Sequence, residues 1–210
     1  NSIYIYTDYG GVVGSSARNS LSINTLSMDE KFYQSEMYRT ALNSYPKISW
    51  HGGNKAGFFN ERIEMNQNDD VYLISAVKEK GKIYYQSQPG IIVFNFDERF
   101  LSSIYSGSLA SEESLMYIVD DRGIIISSSN GANIGHMGNT AIGTHLDNEN
   151  GSFTIRKDNT TKQIVYYKIK NTNWYLIEEM PIAIFTKDII NLQIIQSAIF
   201  IFSILFIFAA

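Results

Sequence analysis

The chain has 210 residues, with 17 basic and 21 acidic side chains and a net charge of −4, so no basic stripe is available for nucleic acid. It has no cysteine, which excludes disulfides, thiolate metal sites and cysteine nucleophiles together. Hydrophobic residues make up 44% of the chain, mixed with interspersed charge, as in a folded, water-facing body.

The chain opens at Asn1 without an initiator methionine or a secretory n- and h-region, which points to a missing upstream part. Ile3 to Thr7 alternates branched and aromatic residues as a strand does, and Gly10-Gly11 with Gly14-Ser15-Ser16 breaks it into a loop. A helix is predicted next. Ser27 and Glu30 have capping-box spacing, and Tyr33, Met37 and Ala41 recur at helical intervals, beside Tyr38 and Leu42, until Tyr45-Pro46 closes the run. Val71–Val77, Ile83–Tyr85 and Ile91–Phe96 read as a three-strand meander. Asp97 reads as an N-cap for a short helix with Phe100, Leu101, Ile104 and Tyr105 on an apolar stripe, ended by Ser106-Gly107-Ser108.

From Met116, a hairpin is predicted around the turn Asp120-Asp121-Arg122-Gly123, followed by a Gly/Asn/Ser-rich loop from Ser127 to Gly151. Ser152–Lys157, Lys162–Ile169 and Trp174–Glu179 then form a second antiparallel meander. The fold class is therefore α+β, as two modules in tandem with antiparallel sheets, divided near Gly107. Ile189 to Ala210 is a run of 22 residues without a charge. As a helix it extends ~33 Å, enough to cross a ~30 Å hydrocarbon core, so it reads as a transmembrane helix at the end of a fragment.

Catalytic patterns are sparse. His51, His136 and His145 lie in Gly-rich or polar stretches without metal-ligand spacing. Ser44-Tyr45-Pro46-Lys47 has the S-x-x-K spacing, but its internal proline opposes the helix that pattern needs. Asp147, Glu149 and Asp158 around Gly151 make an imperfect calcium loop. No catalytic residue, metal site or cofactor is expected. A group of aromatic and polar residues near the first meander fits either a small-molecule pocket or an ordinary core. Trp50, Arg62, Tyr72 and Tyr84 are the ligand-binding candidates within it.

Five stretches together resemble a known family. These are NSIYIYTDYG (Asn1–Gly10), IIVFNFDERFLSSIY (Ile91–Tyr105), MYIVDDRGIIIS (Met116–Ser127), NWYLIEEMP (Asn173–Pro181) and the apolar tail. They are similar to the extracytoplasmic double Cache (PAS-like) sensor region of bacterial membrane histidine kinases, most closely the YesM type.

The resemblance implies a membrane-distal Cache module over 1–106, whose N-terminal helix is missing, a membrane-proximal module over 107–186 and a transmembrane helix over 187–210. It also implies a homodimer in the bacterial cell membrane, sensing a small molecule or a binding protein outside the cell, with the kinase domain beyond Ala210. The Arg-x-Trp-Tyr pattern of amino-acid sensors is absent, since Trp50 follows Ser49. Chemoreceptors, diguanylate cyclases and membrane-bound AraC-type regulators carry similar sensor bodies. An interaction platform for an accessory binding protein is the alternative.

Overall fold

A computed structural model describes residues 2–6, 12–16, 19–26, 30–55, 71–81, 90–146, 148–157, 160–184 and 195–196. The fold is α+β with two antiparallel sheets. The first contains β1 (Ser2–Tyr6), β2 (Val12–Ser16), β3 (Asn19–Leu26), β4 (Ser49–Lys55), β5 (Tyr72–Glu79) and β6 (Ile91–Asp97), in the order β3-β2-β1-β6-β5-β4. Side chains alternate across each strand, so the register gathers Ser2, Tyr4 and Tyr6 with Asn95, Val93 and Ile91, and with Ser75 and Val77, on one face. Two short helices, α1 (Glu30–Gln34) and α2 (Glu36–Ser44), cover that face, burying Phe32, Met37 and Ala41 against Tyr6, Val77 and Val93. The Tyr6 and Phe32 rings stack with centroids 3.6 Å apart. Burying each such side chain contributes roughly 1.5–3 kcal/mol.

α3 (Glu98–Ser106) leads to the second sheet. This contains β7 (Leu115–Val119), β8 (Ile125–Ser128), β9 (Asn150–Lys157), β10 (Thr160–Lys168) and β11 (Tyr175–Pro181), in the order β8-β7-β11-β10-β9. β11 is central, paired with β10 from Tyr175 to Pro181 and with β7 from Tyr175 to Glu179. One face of this sheet packs Tyr117, Ile164, Tyr166 and Ile177 under the 129–149 loop, which contains α4 (Thr140–Gly143) and contributes Ile134 and Ile142. A polar triad interrupts that apolar face: buried Tyr117 donates to buried Glu179 at 2.7 Å, and the half-buried Lys162 Nζ lies 2.9 Å from the other carboxylate oxygen.

The two sheets meet through a third core of Ile74, Tyr105, Met116, Ile118, Ile126 and Trp174, with Trp50 and Leu101 against it. Gly52 permits this approach, because a Cβ there would fall 2.6 Å from Ile126 Cβ. Its neighbour Gly53 has φ +75°, a conformation that L side chains rarely adopt.

Several expectations change. The helix predicted across Tyr33–Leu42 is two helices, because Ser35 turns out of the run: its hydroxyl donates to Phe32 O at 2.6 Å and accepts from Tyr38 N at 3.2 Å, capping α2. Gly14-Ser15-Ser16 is not a loop but the end of β2, held by pairing on both sides. The meander around β5 uses β4 and β6 as its flanking strands; Ile83–Tyr85 lies outside the described residues. So does the capping residue Ser27. α3 begins as expected at Asp97, whose carboxylate accepts from Arg99 N at 3.0 Å. Its apolar stripe is divided, however: Leu101 and Tyr105 pack inward while Phe100 and Ile104 are 67% and 64% exposed. Of residues 187–210 only Ile195 and Gln196 are described, and among the described residues no helix is long and apolar enough to cross a membrane.

Candidate functional site

The edge of β4 borders an open cleft of about 1460 Å³ between the two sheets. α2 and the segment to Ile48 form one side, and Leu101 and Ile118 contribute its apolar lining. The opposite side comes from the second sheet: the β7–β8 turn, Asp120–Arg122, and the turn ahead of β11, Ile169–Trp174.

The β7–β8 turn is built by Asp120. This nearly buried carboxylate accepts from Arg122 N at 3.0 Å and Ile124 N at 2.9 Å, closing the turn on its own backbone. It also holds the Arg122 side chain, through Nε at 3.0 Å and Nη2 at 2.7 Å. That grip raises the Arg122 pKa, mainly by hydrogen bonding. Arg122 Nη1 then reaches across to Glu36 of α2 at 2.6 Å. Both side chains are more than half exposed, so this surface pair contributes ~0.2–1 kcal/mol. Asn173 donates to Asp121 at 3.3 Å, tying the second turn to the first.

His51 stands on the first-sheet side of the cleft. Its Nε2 is 3.2 Å from Ser49 Oγ. Burial pushes its pKa down to about 4; Glu36 opposes the shift and Arg122 adds to it. His51 is therefore neutral at physiological pH. Inward from it, the register continues His51–Ser75–Asn95–Ser2 across four strands. Ser75 Oγ donates to Asn95 Oδ1 at 2.7 Å, and Asn95 Nδ2 donates to Ser2 Oγ at 3.2 Å. Ser75 and Asn95 are fully buried. The sheet thus carries a row of uncharged polar groups among apolar neighbours, with Ser75, Asn95 and Ser2 bonded along the row and His51 bonded to Ser49 on its own strand.

Of the sequence-predicted ligand residues, Trp50 lines the cleft and meets Trp174 edge to face, with centroids 6.2 Å apart. Tyr72 lies on the same face of the first sheet but away from the cleft, 3.4 Å from where a Cβ on Gly135 would stand, with Lys55 Nζ 5.8 Å from its ring centre. Arg62 and Tyr84 lie outside the described residues, as do Asp147 and Asp158 of the calcium-loop pattern. Among the described residues no three His, Cys, Asp or Glu side chains converge as metal ligands. His145 stacks on Phe153, centroids 4.4 Å apart. Sequence reading missed Asp120, Arg122 and Glu36 as a unit. The Asp/Gly turn was visible, but its partner is 86 residues away.

No protein-family model matches the chain, and no curated protein matches it in sequence. Solved structures resemble it in fold. The sensory domain of the Campylobacter jejuni chemoreceptor Tlp3 (CcmL) aligns with TM-score 0.56 and 15% identity over 85% of this chain and 66% of that one. An extracellular domain ascribed to a histidine kinase, rpHK1S-Z16, aligns with TM-score 0.63 and 11% identity over 85% and 69%. The ligand-binding domain of the Pseudomonas aeruginosa PAO1 amino-acid chemoreceptor PctC, in complex with GABA, aligns with TM-score 0.58 and 11% identity over 85% and 73%. This chain spans about two thirds of the length of these solved domains. At such identity the likeness shows the fold alone, one that this chain shares with these solved domains.

Proposed function

We propose that the chain is the extracytoplasmic signal-sensing body of a membrane-bound two-component sensor histidine kinase of the YesM type. In this reading 1–106 is the membrane-distal Cache module, 107–186 the proximal one and 187–210 the transmembrane helix, with the body acting in a homodimer. A small molecule binds in the cleft, with Trp50 in its wall, and the segment itself performs no catalysis.

One observation carries this reading: the cleft takes residues from both sheets, and its second-sheet wall, Ile169–Trp174, runs directly into β11, which begins at Tyr175. A ligand that pulls the two walls together therefore acts on the strand that leads toward the tail. It shifts the equilibrium only as far as it prefers the closed arrangement. A flexible Gly/Ser insertion after Pro181 in the full-length receptor should abolish the response while leaving ligand binding unchanged; an undiminished response sinks rigid transmission.

A second reading, an interaction platform for an accessory binding protein, draws on the exposed Ile3, Ile5, Phe94 and Phe96 of β1 and β6 and on Phe100 and Ile104 of α3. A thermal-shift screen against amino acids, sugars and organic acids separates the two, since a ligand specific to the folded state raises its stability. A shift by one compound favours the sensor; none, with capture of a binding protein lost on Phe100→Lys, favours the platform.

A further inference from the structure

We infer that the cleft between the sheets takes an uncharged, hydroxyl-rich ligand, a short oligosaccharide, rather than a free amino acid. The inference rests on the sensor reading and specifies its ligand class. Size is the first reason. At about 1460 Å³ the cleft exceeds the ~300–1,000 Å³ of common small-molecule sites, so one amino acid leaves most of it to water.

Charge is the second. A zwitterion needs a carboxylate for its ammonium group and a cation for its carboxylate, held where water does not screen them. The ionised groups of the second-sheet wall are instead engaged with protein: Arg122 is held by Asp120 and, across the cleft, by Glu36 of α2, and Asp121 accepts from Asn173. The lysines at the border, Lys47, Lys78 and Lys170, are exposed. Hydrogen-bonding capacity without charge comes from Thr40, Asn43, Asn54 and Asn171. Such amides and hydroxyls supply donors and acceptors together, as a ring of sugar hydroxyls requires. His51, kept neutral by burial, adds to this set.

Shape is the third. A pyranose presents hydroxyls around its rim and an apolar C–H face. A half-buried Trp50, fixed by Trp174 behind it, supplies the flat apolar contact for that face.

The test is titration of the full chain with maltotriose, cellotriose, xylotriose and tri-N-acetylchitotriose, read by calorimetry and by tryptophan fluorescence. The twenty amino acids and GABA form a parallel arm. At least one trisaccharide should bind with a fluorescence change, weakened tenfold or more by Trp50→Ala and by Asn171→Ala, with partial retention in Trp50→Phe, which keeps the packing. No saturable binding by any of the four overturns the inference, as does binding that both substitutions leave unchanged. Saturable amino-acid binding lost in Asn171→Ala, with no trisaccharide bound, also overturns it, while leaving the sensor reading intact. Failure of the Gly/Ser insertion to uncouple output counts against transmission alone.

Discussion

Ser127 of β8 donates a 2.5 Å hydrogen bond to the Glu98 carboxylate in the first turn of α3, although both residues are almost completely buried. A hydroxyl has one proton to give, so the 2.6 Å contact between Ser127 Oγ and Tyr105 must be a donation by the phenol. Burial raises the Tyr105 pKa, which keeps that proton in place. Ser127→Ala strips a buried carboxylate and a buried phenol of a partner at once and should cost about 2–4 kcal/mol in urea unfolding. Tyr105→Phe leaves the Ser127–Glu98 bond whole and should cost about 1 kcal/mol through the lost bond. The reverse ranking contradicts this direction of donation.

His51 makes stability depend on pH. Its folded pKa of about 4 lies below its ordinary 6.5, so between those values the unfolded chain binds the extra proton. Stability from this residue is full above pH 6.5 and declines as pH falls toward 4, by up to ~1.4 kcal/mol per pH unit. His51→Gln should flatten the wild-type stability curve in that window and leave the difference constant above it. A variant curve parallel to wild type throughout shows that His51 does not titrate this way.

Gly52→Ala should separate the sheets locally. The added Cβ meets Ile126 Cβ at 2.6 Å, an approach that neither atom can relieve by rotation. The expected loss is about 1–3 kcal/mol, the range for overpacking, measured by chemical denaturation. Pairing Gly52→Ala with Ile126→Gly, which removes the opposing Cβ, should recover part of it; strict additivity of the two losses argues against direct contact.

Phe100→Lys with Ile104→Glu should change stability by no more than ~0.5 kcal/mol, since both side chains are mostly exposed. Self-association of the full chain should decrease, measured by light scattering. A loss of several kcal/mol instead identifies this face as covered in the folded protein.

Much of the second sheet was legible, because β7 is a short apolar run, β10 alternates, β11 is rich in aromatic and branched residues, and turns of Asp, Asn and Gly separate them. The Asp97 cap was legible for the same local reason. β4 was not: Ser49-Trp50-His51-Gly52-Gly53 carries loop chemistry, and its pairing with β5 and its fit against Ile126 decide the matter. The split at Ser35 was hidden because the apolar spacing runs through it, and only the hydroxyl's competing bonds end α1. Trp50 was picked out as an aromatic candidate, but the cleft it lines joins positions from Ser35 to Trp174. No local period encodes that assembly. The row from His51 to Ser2 is likewise a product of register between four strands.

The central position of β11 has a mechanical consequence. Drawing this strand along its own axis loads its ladders with β7 and β10 in shear together, where a strand at the sheet edge has one ladder to bear the load. Tension applied from its carboxyl end is therefore shared between the strands on either side, and through them reaches the turn that carries Asp120.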